Sequence, residues 1–465
     1  AGTAVHHSLS SVGALALSTE ARTNRSIPGV ILRFERCMFK DEVCTLFLER
    51  LIPKYDRFGC EVSPDGTSFI PVPDIENRIE DLIFEQWVEP DSSAKGESEW
   101  EAAERCIQVL VSGHQNEPLP SGQPLWKIYL YHCAFPSGAE KTYLYWREHH
   151  CIADGVSMAL VVRALSDEAA EEEGKEKEDT RKGQGGLLYY VKSVVMALPM
   201  VLGFLLVMAG WAVMTIKNLI PGGPPKMLKK QLSEDWSAAW APLQSLEKAK
   251  EVCKQFPKTE YAKKAGIKRL TINDLGLAVT SSAMNRYLAD RGGTARILPL
   301  AIPVNMRPPS EMDKLGNVIG SYSLQLKLTA DSRLHRLVNV ARKMTWKKRL
   351  PEPVLTYYIT KLCAKCPHWF ADFVVNSLSE QVYVVLSNVV GPPETLHWNG
   401  ATLERIVGLV PPPNTCSLGL SIASYAGELI ACANADAAVF PDALPLVCLM
   451  QEEYALFQRE VMAAT

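Results

Sequence analysis

The chain has 465 residues, 47% of them hydrophobic and 22% charged, with a formal net charge of −3. That balance supplies ample core material and excludes a largely disordered chain, and the length predicts two or three domains. No broad basic field exists to hold nucleic acid, which argues against that class of partner.

Residues 1–26 are rich in Ser, Thr, Ala and Gly and read as a mobile tail. Their apolar run, Val12 to Leu17, is broken by Gly13 and is too weak for a secretory signal. The chain opens on Ala1 rather than Met, which leaves room for a targeting segment upstream. The twelve cysteines are scattered, as expected of reduced thiols rather than a disulfide framework. Cys363 and Cys366 form one C-x-x-C without a second pair at zinc spacing, and read as helix-face residues.

Residues 27–166 form the first lobe. Lys127–Phe135 and Lys141–Arg147 are rich in Tyr and other strand formers and flank Pro136-Ser137-Gly138, which predicts a hairpin-like pair. Val156–Leu165 has the apolar spacing of a short helix. Between them stands His149-His150-Cys151-Ile152-Ala153-Asp154-Gly155, an H-H-x-x-x-D-G at a strand–turn–helix junction, with Gly155 expected to permit a tight turn. Imidazole titrates near neutrality, so a histidine facing a cleft there can take a proton from a hydroxyl or amine and return it. The aspartate can orient the loop. No third ligand at helical spacing supports a metal.

Residues 167–230 hold a charged linker and then an apolar segment. Ser193 to Ile216 are 24 residues without charge, followed by Pro221-Gly222-Gly223-Pro224-Pro225 and by Lys226, Lys229 and Lys230. As a helix the run would span about 36 Å, against a hydrocarbon core of about 30 Å, so it reads as membrane-associated. The lysines suit an anionic head-group layer.

Residues 231–465 form the second lobe. The segment 271–288 (TINDLGLAVTSSAMNRYL) reads as a helix opened by Asn273-Asp274, with Thr271 and Asp274 at capping-box spacing. ILPLAIPV ends in Pro303-Val304-Asn305-Met306-Arg307-Pro308, and QVYVVLSNVV carries Ser387-Asn388-Val389-Val390 before Gly391-Pro392. Leu418–Ala426 and Glu428–Asp436 predict a late hairpin.

Taken jointly and in this order, Pro124-Leu125-Trp126, the H-H-x-x-x-D-G, Asn273-Asp274, the P-V-x-x-R-P and the S-N-V-x-G-P resemble the wax ester synthase / acyl-CoA:diacylglycerol acyltransferase family, over roughly residues 110–435. The H-H-x-x-x-D-G alone is shared by the wider set of CoA-dependent acyltransferases. Val390 departs from the proline that many relatives carry there. The resemblance implies an α/β (α+β) fold of two chloramphenicol-acetyltransferase-like lobes with mixed sheets and a central channel, plus the membrane-inserted segment. It implies an O-acyltransferase making neutral lipid esters from acyl-CoA, as co-substrate rather than cofactor, and a lipid alcohol or diacylglycerol. His150 would be the general base, supported by His149, Asp154 and Gly155. Asn273, Asp274, Ser387, Asn388 and Trp126 would bind substrate, an oxyanion donor coming from Asn273 or Asn388. Arg307 would support Asp154.

If His150 and Ser387 share one cleft, a single membrane pass between them is excluded, which favours re-entrant or monotopic insertion broken near Pro199 or Gly210. The expected place is the cytosolic side of the endoplasmic reticulum or a lipid droplet, with the plastid as the other compartment. Alternatives are a same-fold acyltransferase for a terpenol, sterol or pigment alcohol, and a non-catalytic lipid-binding scaffold.

Overall fold

The computed structural model describes residues 7–23, 25–90, 98–135, 137–176, 224–229 and 232–465. The apolar run 193–216 lies outside them. Among the described residues no helix is long and apolar enough to cross a membrane.

Two six-stranded mixed sheets carry the fold. The first is built on the expected hairpin, β6 (Trp126–Ala134) and β7 (Glu140–Glu148), paired antiparallel from Trp126↔Glu148 to Ala134↔Glu140. Strand β5 (Ile83–Val88) adds parallel to β6, and β2 (Gly29–Phe34) antiparallel to β7. The second sheet runs in the order β10 (Ile319–Lys327), β9 (Ile297–Asn305), β11 (Val384–Val390), β14 (Leu418–Tyr425), β15 (Glu428–Asp436), β8 (Trp236–Ser245). The β14–β15 turn is the predicted one: Ala426 and Gly427 have φ of 44° and 81°, the left-handed pair that a two-residue hairpin loop of this twist requires. Strand β11 continues through Val390, whose position is paired with Ser424.

The halves do not part cleanly at residue 231. Strands β12 (His397–Trp398) and β13 (Ala401–Leu409) leave the second half and complete the first sheet, Gly408 pairing with Val30. The physical reason is the open edge of β2, whose unpaired backbone needs a partner and whose apolar face needs cover. Leu403, Val407 and Leu409 are buried by the exchange. A shared core of Ile31, Tyr143, Tyr145 and Val407 with Trp240, Ile430 and Cys432 then ties the sheets together.

The N-terminal stretch is likewise more ordered than a tail. His7–Ser8 (β1) pairs with Ser68–Phe69 of β4 (Ser68–Pro71). Ser10 caps the helix Ser11–Ser18, its hydroxyl accepting the Gly13 N–H at 3.0 Å. Gly13 allows a close approach there, since a Cβ would stand 3.0 Å from the Cys151 carbonyl oxygen. Residue 167, expected in a solvated linker, begins a helix (Asp167–Glu176), and its carboxylate is anchored by Arg50 at 2.7 Å and the Gly400 N–H at 2.8 Å. All twelve cysteines are free thiols.

Candidate active site

The two-histidine motif is the run-out of β7. Chain direction is held by backbone bonds from the His149 N–H to the Leu125 carbonyl (2.8 Å) and from the His150 N–H to Ser26 (2.9 Å). Past the end of β7 the two neighbours meet different environments. His149 is buried, and its Nδ1 accepts the Cys151 N–H at 3.0 Å. Burial, with the adjacent His150 second, drives its pKa down to about 3, so it is a neutral ring. Glu148 before it is fully buried, burial first and Asp154 second holding its carboxyl well above the usual range. His150 is the half-exposed member.

Asp154 is the N-cap of the helix Gly155–Ala164, accepting the Ser157 N–H at 2.9 Å. Arg307 grips it with both terminal nitrogens, at 2.9 and 3.0 Å, with both side chains 1% exposed. The Val318 N–H also reaches Asp154, at 3.2 Å. The expected Asp154–Arg307 pair therefore exists, and it clamps the β9–β10 connection onto the motif. Gly155 is simply the first helical residue: it has no positive φ, and a Cβ there would make an ordinary 3.8 Å contact with Val389. The tight turn falls earlier in the motif, at His149–Ile152, where the Ile152 N–H donates to the His149 carbonyl at 3.0 Å.

The clamp delivers a residue that motif reading did not single out. Asn317 is 2% exposed; its Oδ1 lies 2.8 Å from His150 Nδ1, and its Nδ2 donates to the His150 carbonyl at 2.6 Å. The second bond fixes the amide orientation, so Oδ1 must accept and Nδ1 must carry the hydrogen. In the neutral ring the lone pair is then on Nε2. The only sequence cue is a polar residue ten positions after Arg307, in Leu315-Gly316-Asn317.

His150 lines a cavity of about 210 Å³ closed by both lobes. Met158 and Val162 come from the motif helix, Val30, Ile406 and Gly408 from β2 and β13, Pro303 and Asn305 from β9, and Ser387 and Asn388 from the end of β11. The lining is predominantly apolar with a few convergent polar groups, the character of a small-molecule site. His150, Asp154, Gly155, Ser387 and Asn388 are thus brought together. The other three candidates lie elsewhere. Trp126 is fully buried core, its indole N–H donating to the Phe58 carbonyl at 2.8 Å. Asn273 and Asp274 are not among the lining residues; Asp274 closes a capping box with Thr271 at the start of the helix Ile272–Ala289. No group of three or more ligand-type side chains that could hold a metal occurs among the described residues.

Residues 315–458 match the model of the WS/DGAT C-terminal domain. The chain is 24% identical over 428 residues to the O-acyltransferase WSD of Acinetobacter baylyi, covering 84% of this chain and 86% of that protein. It is 22% identical over 450 residues to wax ester synthase/diacylglycerol acyltransferase 8 of Arabidopsis thaliana, covering 85% of each. The fold is that of the wax ester synthase/diacylglycerol acyltransferase from Marinobacter aquaeolei VT8, with a TM-score of 0.66 at 18% identity over 98% of this chain and 100% of that one. Family model, relatives and fold agree with the geometry of the cleft: residues 315–458 carry a WS/DGAT C-terminal domain, and the chain as a whole is similar to wax ester synthase/diacylglycerol acyltransferases.

Proposed function

We propose that His150 is the general base of an acyl transfer carried out in the interlobe cavity, from acyl-CoA to the hydroxyl of a fatty alcohol or diacylglycerol. The chain is an O-acyltransferase that forms neutral lipid esters. The observation that carries the role of His150 is its tautomer: Asn317 engages Nδ1 at 2.8 Å, which leaves Nε2 to accept a proton. Nε2 takes the hydroxyl proton as the oxygen attacks the thioester carbonyl. The tetrahedral oxyanion collapses, the C–S bond breaks, and the imidazolium returns its proton to the leaving thiolate. We assign the oxyanion donor to Asn388, which lines the same cavity, an interaction worth about 10²–10³-fold. Asp154 and Arg307 position the loop and hold no proton in transit. His149, neutral and buried, is scaffolding.

Lipid substrates give the uncharged run 193–216 a purpose. Because one cavity takes residues from before and after it, both lobes must work on one membrane face. The reading is therefore a monotopic or re-entrant association, at the cytosolic side of the endoplasmic reticulum or a lipid droplet. The deciding experiment incubates purified chain with acyl-CoA and a panel of alcohols and follows CoA release. Wild-type protein is expected to esterify fatty alcohol or diacylglycerol, and His150→Ala to lose about 10²–10⁴-fold with unchanged folding. Near-normal turnover by the folded variant would overturn the assignment.

A further inference from the structure

The helices Glu352–Cys363 and His368–Ser379 follow one another on the outside of the second lobe. The second of them buries only Ala371 and Ser379, although its sequence, HWFADFVVNSLS, is largely apolar. Trp369 is 69% exposed and Phe373 65%, one helical turn apart, and Leu362 at the end of the first helix is 61% exposed. Tyr358 and Phe370 extend the same patch. Isolated exposed apolar residues are ordinary, but a contiguous aromatic cluster marks a place where something docks. The cluster is not loose: Leu15 of the N-terminal helix packs beneath it against Cys363 and Ala371.

The chemistry of the occupant is written in the charges. Between residues 346 and 379 the acidic residues are Glu352, which is buried and paired with Lys347, and Asp372, which is paired with His368 at 2.7 Å. Lys348, Arg349, Lys361 and Lys365 remain, and none of the four forms an ion pair among the described residues. An apolar face with Trp and Phe, flanked by cations, is the composition of elements that lie in a head-group layer. The patch is also continuous with the site. The first helix sits on β10, Thr356 Oγ accepting the Ser321 N–H at 2.8 Å, and Gly320 approaches Pro353 so closely that a Cβ would be 2.1 Å from its carbonyl oxygen. Strand β10 starts at Ile319, which lines the cavity.

We propose that this aromatic and cationic face docks on an anionic phospholipid surface and sets the cavity beside the lipid from which its substrates come. It deepens the acyltransferase reading, but the docking can be tested without turnover. The full chain is incubated with vesicles of phosphatidylcholine, with and without phosphatidylserine, and amide hydrogen exchange is read peptide by peptide. Peptides over 352–379 are expected to gain protection on phosphatidylserine vesicles. Lys361→Gln/Lys365→Gln should weaken binding to them by about 25-fold, at about fivefold per cation removed. Trp369→Ser/Phe373→Ser should lose the local protection, keep turnover of hexanoyl-CoA with hexanol, and lose turnover of vesicle-borne acceptor. Unchanged exchange over 352–379 while the chain is vesicle-bound would overturn the proposal. So would failure to bind vesicles, or a concentration-dependent dimer that the Trp369→Ser/Phe373→Ser variant abolishes. A wild-type chain that binds through these peptides but releases no CoA would instead refute the acyltransferase reading alone.

Discussion

Asn317→Ala tests the claim that the base is prepared by its partner rather than by the motif. Two bonds are lost, the one at 2.8 Å to His150 Nδ1 and the one at 2.6 Å to the His150 carbonyl. They act at different stages. The carbonyl loses a partner in every state, which costs about 1–3 kcal/mol of stability and no catalysis as such. The Nδ1 bond strengthens when the ring becomes imidazolium, because a hydrogen bond to a charged group is worth about 1.5–3 kcal/mol. Only the gain over the neutral bond, about 1–1.5 kcal/mol, enters kcat; at about 1.36 kcal/mol per factor of ten it predicts a fall of about 5- to 13-fold, smaller than the loss from removing the ring itself. The assay is CoA release under saturating acyl-CoA and alcohol, beside a urea unfolding curve. A variant with a lowered urea midpoint but wild-type kcat would refute the tautomer argument and leave Asn317 as a purely structural residue.

Arg307→Met strands the buried Asp154 carboxylate and is expected to destabilise by about 3–5 kcal/mol, read from denaturant midpoints. The double variant Asp154→Leu/Arg307→Met should cost less than the sum of the two single changes; additivity would show that the pair is not coupled. His149→Asn addresses pH. The folded ring resists protonation down to about 3 while an unfolded one titrates at 6.5, so native stability is present above 6.5 and is lost as pH falls through that window. The slope is about 1.4 kcal/mol per unit, and the variant should flatten the acid limb of the stability profile. Gly408→Leu probes chain length. A Cβ at this lining position meets nothing within 4 Å, so the added side chain occupies the cavity rather than the core. With one methylene in an apolar pocket worth about 10–200-fold, kcat/KM should collapse for long chains and survive for short ones. Varying acyl and alcohol lengths separately tells which chain passes residue 408; equal loss at all lengths would mean the strand had been disturbed instead.

Local periodicity made the elements around the motif legible. The Tyr-rich alternation of β6 and β7, the apolar spacing of 156–165 and the Ala426-Gly427 turn are all short-range signals, and short-range sterics decide them. What was illegible is long-range. Strand β13 alternates like any half-buried strand, and nothing within residues 401–409 states that its partner is β2, nearly 380 residues earlier. The partnership of Asn317 with His150 spans 167 positions and likewise leaves no local trace.

The motif letters also proved unequal for a physical reason. Polar residues in a pattern are equally eye-catching, yet their work is decided by which side of the backbone faces the cavity. Of the two histidines, only His150 is partly exposed and lines the cavity. His149 turns inward and is held neutral by burial. Asp154 spends its lone pairs on Ser157, Val318 and Arg307, leaving little capacity for a proton. Trp126 and Asp274 look like recognition residues in sequence and are a core ring and a helix cap in space. A base with one free nitrogen needs a second group to hold the other, and in this fold that group comes from the opposite lobe. If His150 is the base proposed, the Asp154–Arg307 clamp, which holds the β9–β10 connection and with it Asn317 against His150, should matter indirectly: weakening it is expected to lower kcat through Asn317 even though neither clamp residue handles the proton.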